Sequence, residues 1–143
     1  MINGLFISPQ KIISKTGGNI YHIMKDSDIG FFGYGEAYFS TIEPGFINAW
    51  KRHTKMTLNL VVPVGKIRFV IFDDRNSENK QFQQIILSKE NYCRLTVPPM
   101  VWMGFQGLSN GRSMLLNIAN IEHDPSEVDR LEIEKINYDW SIN

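Results

Sequence analysis

Four side chains able to carry positive charge crowd into the stretch AWKRHTK: Lys51, Arg52, His53 and Lys55. An imidazole titrating near neutrality can remove a proton from a carbon next to a ketone, and a neighbouring cation can hold the enolate that results. His53 is the candidate base. Lys51 stands two residues before it, on the same face if the stretch is a β-strand, and is the candidate stabilising cation. Arg52 and Lys55 add charge suited to an anionic group such as a sugar pyrophosphate. The other reading of this cluster is a solvated basic turn.

Further polar and aromatic residues are candidates for substrate contacts. Asn48 lies on the same strand as the basic cluster. Asn117 sits in MLLNIAN between apolar neighbours, where a buried amide must find partners in a substrate or in nearby backbone. Trp102, like Trp50, reads first as a packing aromatic and second as a platform for a base or a sugar ring. His22 and His123 read as a sheet and a turn residue, Tyr34 and Tyr38 as sheet residues with a polar tip, and Asp73, Asp74 and Arg75 as a charge network at a strand end. The three histidines, at 22, 53 and 123, lack the His-x-His spacing of a metal site, and Cys93 is alone, so neither a metal nor another cofactor is expected.

The elements that must position these residues are strands. Period-two alternation recurs over 19–24, 34–41, 46–53, 57–63, 66–73, 82–87, 92–97, 101–105 and 113–119, with turn chemistry such as Pro44-Gly45 and Ser109-Asn110-Gly111 between them. Nine short strands about ten residues apart predict an all-β sandwich or jelly-roll barrel, with a short C-terminal helix near Pro125 and an extended tail to Trp140. On 46–53 the alternation predicts Ile47, Ala49, Lys51 and His53 on one face and Asn48, Trp50 and Arg52 on the other. The length suits one domain over residues 1–143. Fifteen basic residues balance fifteen acidic ones, leaving no global field to hold a nucleic acid or an anionic membrane. No apolar run reaches membrane-spanning length and no signal-peptide pattern is present, so a cytoplasmic protein is expected.

Several blocks together resemble the dTDP-4-dehydrorhamnose 3,5-epimerase family, nucleotide-sugar enzymes built on a cupin jelly roll. They are the glycine-led strand ending at His53, VGKIRFVIFDDRNS, FQQIILSKENYCRLTVPPMVWMGF and the terminal HDPSEVDRLEIEKINYDW. The resemblance implies a cupin domain, a homodimer, a nucleotide-linked keto-sugar as ligand, and a role in surface polysaccharide synthesis by metal-independent proton transfer. It places the family's base near Lys51 or His53 and its tyrosine acid at Asn117, which makes this a divergent member without that tyrosine. Met103 replaces a histidine of the proline-proline block, and Gly17-Gly18 replaces an arginine-glycine pair. Tyr34, Tyr38 and Tyr138 could each offer a phenol as acid in its place; Tyr34 and Tyr38 read first as sheet residues, and Tyr138 is the candidate, because the family's terminal segment folds back near the cup. A related possibility is a 3,4-ketoisomerase, whose His-x-His motif would align its second histidine with His53. The non-catalytic alternative is a sugar-nucleotide-binding or assembly protein that keeps the scaffold.

Overall fold

The computed structural model describes residues 1–142. Twelve strands run along them: β1 (Phe6–Pro9), β2 (Ile12–Lys15), β3 (Gly18–Tyr21), β4 (Glu36–Ile42), β5 (Ile47–His53), β6 (Leu58–Val64), β7 (Lys66–Asp73), β8 (Gln81–Ser88), β9 (Cys93–Val97), β10 (Trp102–Gly107), β11 (Ser113–Ala119) and β12 (Val128–Arg130). Two five-stranded antiparallel sheets, ordered β1-β9-β6-β11-β4 and β12-β5-β10-β7-β8, form the expected jelly-roll layers, while β2 and β3 make a separate hairpin.

Alternation decides which side chains fill the space between the sheets. Leu58, Leu60 and Val62 of β6, Ile67, Phe69 and Ile71 of β7, and Leu95 and Val97 of β9 all point inward and are buried in one cluster. Each such side chain contributes about 1.5–3 kcal/mol relative to exposure, which is what holds the layers together. The reverse faces are covered too. On the second sheet Trp50, Val70, Trp102 and Ile136 form another cluster, closed by Phe72, Tyr138 and Trp140. Arg68 clamps the tail there by donating to the carbonyls of Trp140 and Ser141 and to the Gln106 side chain. On the first sheet Arg94 is 1% exposed and reaches outward to the carbonyls of Ile23 and Ile29 and to Asp28, tying down the connection before β4. Gly30 of that connection has φ +91°, and a Cβ there would meet Thr96 Oγ1 at 2.5 Å, so the segment lies flat only with glycine.

Three expectations need correction. The strand expected at 19–24 is the second arm of the β2–β3 hairpin and ends at Tyr21. None of β1, β2 and β12 was expected; all are short and are held by pairing with β9, β3 and β5 rather than by their own pattern. The helix expected near Pro125 is a single 3-10 turn, Pro125–Glu127, and leads straight into β12.

The face assignment on β5 also changes, and this decides the site. Lys51 pairs with Met103 of β10, yet Asn48 pairs with Phe105, so Ala49 and Trp50 stand together opposite Gly104 alone. This two-against-one bulge reverses the alternation. Asn48 joins Lys51 and His53 on the inner face, while Ala49 joins Trp50 in the outer cluster. Gly104 makes the bulge possible, because a Cβ there would lie 2.7 Å from the Ala49 Cβ and 2.9 Å from the Trp140 ring.

Candidate functional site

β5 ends inside the jelly roll, where a cavity of about 80 Å³ opens between the two sheets. His53, Lys51 and Asn48 line one wall, Tyr38 and Ser40 of β4 line the facing wall, and Leu58, Leu60, Met103, Phe105 and Leu115 form the apolar floor. The basic stretch of the sequence is therefore not a solvated turn. His53 is only 8% exposed.

The ring of His53 is oriented by a residue distant in sequence. Because β12 pairs with β5 so that Val128 faces His53, the preceding residue, Glu127, comes beside the imidazole. Glu127 is 2% exposed, and its Oε1 accepts a hydrogen bond from His53 Nδ1. Its Oε2 accepts from the backbone amides of Lys55 at 3.1 Å and Met56 at 3.2 Å. Its own carbonyl is held by the Thr54 amide and hydroxyl. Burial alone would raise the Glu127 pKa, but the donors from His53, Lys55 and Met56 outweigh it and hold the carboxyl below its ordinary range. An ionised carboxylate only accepts, so Nδ1 carries the ring proton and Nε2 is the basic nitrogen. Burial lowers the His53 pKa, only partly offset by Glu127 and reinforced by the charges of Lys51 and Arg130. The imidazole is thus neutral at neutral pH, the form a general base requires. Lys51 is also pushed down, first by burial and then by Arg130, against the pull of Glu127.

Across the cup, Tyr38 supplies a phenol. Asn117 is fully buried on β11, directly across the ladder from Tyr38. Its Oδ1 accepts from the Asn59 amide, and its Nδ2 donates to the Tyr38 hydroxyl at 3.1 Å. The hydroxyl accepts there, and its own proton remains free to be donated into the cup.

The structure therefore brings together His53, Lys51 and Asn48, with Asn117 holding Tyr38. It does not bring the other candidates to them. Tyr138 lies on the outer face, edge-on to Trp50 and Trp140, and donates to Gln84 at 2.8 Å, so it closes the outer cluster and does not meet His53. Trp102 is on that same face, donating to Asp74 at 3.3 Å. Arg52 alternates outward from its neighbours, covers the Trp102 ring and pairs with Asp129 at 2.8 Å. Lys55 is exposed and meets Glu127 through its backbone amide only. Glu127 is the residue that sequence reasoning missed, and Tyr38 the one it ranked behind Tyr138. Alternation could have found Tyr38, since Tyr38, Ser40 and Ile42 are in phase with an inward face; nothing local marks Glu127. Among the described residues, no group of three or more His, Cys, Asp or Glu side chains converges as metal ligands.

No protein-family model matches the sequence. Among relatives, the chain is 29% identical over 106 residues to the probable low-salt glycan biosynthesis epimerase Agl13 of Haloferax volcanii, a match covering 72% of this chain and 66% of that one. It is 22% identical over 147 residues to the spore coat polysaccharide biosynthesis protein SpsL of Bacillus subtilis, covering 99% and 97% of the two chains. Among solved structures, a dTDP sugar isomerase from Desulfovibrio desulfuricans G20 superposes with a TM-score of 0.92 at 32% identity, over 97% of this chain and 92% of that one. The sugar 3,4-ketoisomerase QdtA of Thermoanaerobacterium thermosaccharolyticum, solved with TDP, shares the fold at a TM-score of 0.77 and 20% identity, over 92% and 90% of the chains. With that level of identity to the Desulfovibrio protein over nearly the whole of both chains, this chain belongs to the cupin family of dTDP-sugar isomerases and epimerases that its motifs resemble.

Proposed function

We propose that this protein is a nucleotide-sugar epimerase or isomerase that moves a proton next to the ketone of a keto-sugar, without a metal, in surface polysaccharide synthesis. One observation carries the reading: a neutral, buried imidazole, oriented by Glu127, faces a phenol across a cup that also holds an ammonium group. His53 Nε2 removes the proton on the carbon beside the ketone, and the electron pair passes to the carbonyl oxygen. Lys51 holds the enolate oxygen. The Tyr38 hydroxyl returns a proton from the opposite wall, inverting that carbon, and Asn117 Nδ2 steadies the phenolate until solvent reprotonates it. The relatives named for polysaccharide and glycan biosynthesis support the pathway.

The test is incubation with a 4-keto-6-deoxy sugar linked to dTDP in deuterated water, followed by NMR. Deuterium at the carbon beside the ketone, with inversion there, is expected. A second reading, keto-group migration, is favoured by Lys51 standing on the same wall as His53; it would place deuterium on the neighbouring carbon. Binding without any exchange would leave only the non-catalytic scaffold role.

Tyr38→Phe tests the acid of the inversion. If the phenol is the acid, turnover to inverted product falls about 100-fold while deuterium exchange without inversion survives, since His53 still removes and returns the proton on its own side. Equal loss of both signals, in a variant that melts like the wild type, would remove Tyr38 from the acid role.

The reading also takes the protein to be cytoplasmic and homodimeric. Among the described residues no helix is long and apolar enough to cross a membrane. Strand β4 is the edge of its sheet and carries Phe39 outward at 63% exposure, an apolar edge that a second copy would cover. Light scattering should give about twice the mass of one chain, with Phe39→Lys shifting the population toward monomer. A wild type monomeric at working concentration would discard this part.

A further inference from the structure

Ala49 and Trp50 are neighbours on β5, yet both face outward. Regular alternation would send Ala49 inward with Lys51 and His53 and turn Asn48 away from the cup. Something on the outer face must therefore hold both residues there. Of the side chains that close the outer cluster, Trp140 is the one seated at the bulge. Its ring centroid lies 5.4 Å from that of Trp50, and its Cη2 and Cζ2 atoms would be 2.9 and 3.0 Å from a Cβ on Gly104, the residue opposite the bulge. The same Cβ would be 2.7 Å from that of Ala49, so Gly104, Ala49 and the indole meet in one place.

The indole is not held by its own polar group, since among the described residues its buried Nε1–H finds no acceptor. Its main chain is what is anchored. Arg68, 7% exposed, donates to the Trp140 and Ser141 carbonyls and stands 5.6 Å from the ring centroid. A leucine would cover this apolar face without an orphaned donor. A flat ring is what fits against a residue with no side chain. Asn48 is the residue whose direction depends on this contact. It stands on the cup wall of Lys51 and His53 with a carboxamide that can donate and accept, and proton transfer gives it no part.

Resting on the function proposed above, we propose that Trp140 is a positioning residue: by packing on Gly104 it keeps Ala49 outward and Asn48 in the cup, where the Asn48 carboxamide binds a hydroxyl of the sugar ring. The C-terminal tail thereby shapes the site from the far side of the sheet.

The test is steady-state kinetics with the dTDP-linked 4-keto-6-deoxy sugar on Asn48→Ala, Trp140→Leu and the two combined. Leucine keeps the face covered, so the variant is expected to fold, and a thermal melt checks this. Each single change is expected to raise KM about tenfold, the scale of one hydrogen bond, with kcat within about threefold, because His53, Glu127 and Tyr38 keep their places. The double variant should match the single ones, since Trp140 acts through Asn48. Phe82→Ala is the control: this ring stacks on Phe72 on the outer face of β8, two strands from Gly104, and its loss should lower the melting temperature while leaving KM unchanged. Multiplied losses in the double variant, an unchanged KM in either single one, or an equal rise in Phe82→Ala would overturn the proposal. NMR needs no turnover: NOEs from the Asn48 side-chain amide to side chains lining the cup should be present in the wild type and lost in Trp140→Leu. Their persistence overturns the proposal, whereas their loss in a protein that exchanges no deuterium would sink the catalysis and support the positioning.

Discussion

His53→Asn is expected to lower deuterium exchange into the keto-sugar about 10³-fold, the middle of the range for loss of a general base. The imidazole is the group in the cup whose proton affinity is matched to neutral pH, because burial keeps it neutral and Glu127 keeps its Nε2 unprotonated. Asparagine retains a donor for the Glu127 carboxylate, so the cup should still close and the melting temperature should change little. Lys51 and Tyr38 remain in this variant, which makes it a clean comparison. Exchange within tenfold of the wild type would mean that another group takes the proton, and the mechanism proposed here would fall.

The second large effect concerns Glu127, which is buried behind His53 and in the proposed mechanism acts through it. In Glu127→Gln the amide can donate to Nδ1, which moves the ring proton to Nε2 and leaves the cup facing an acid where it needs a base. Turnover is expected to fall about 100-fold or more, in the manner of triads that lose their orienting carboxylate. The pH profile gives a reading that a merely structural role would not. In the wild type, activity rises with pH as His53 loses its proton below the ordinary imidazole range, then levels off. Glu127 contributes the influences that raise the His53 pKa, while burial, Lys51 and Arg130 lower it. Removing the carboxylate's charge therefore shifts the acid limb to still lower pH while the plateau falls. A limb that moves upward, or a plateau that is unchanged, would argue against the positioning role. Glu127→Ala is the harsher change. It strands the amides of Lys55 and Met56 and the His53 ring without a partner in a buried site, and is expected to cost about 3 kcal/mol of stability in denaturant titration.

The two variants separate what can be read along the chain from what cannot. His53 was legible because histidine in a basic cluster at the end of an alternating strand is a local signal. The layers were legible for the same reason: β6, β7 and β9 each repeat apolar residues every second position, and a sheet buried on one face demands that pattern. Glu127 was not legible. It lies 74 positions from His53, before a three-residue strand that has no periodicity of its own and exists only because β5 offers an edge to pair with. Tyr138, expected at the cup, lies outside it, and Tyr38, read first as a sheet residue, is the tyrosine that lines it, since inward or outward depends on which sheet a segment joins. Tyr138 belongs to a tail that Arg68 and the Trp50 cluster draw over the outside.

By itself, then, the sequence determined the class of fold and the family, and singled out His53 as the candidate base, because alternation and local motif chemistry are properties of neighbours along the chain. Only the tertiary structure decided which groups surround that imidazole. A strand pairing brought Glu127 and Arg130 to β5, and the two-residue bulge opposite Gly104 turned Asn48 into the cup. A ladder contact put Tyr38 beside Asn117. Register between strands is set by partners far away in sequence, and one residue of slip carries a side chain to the opposite face.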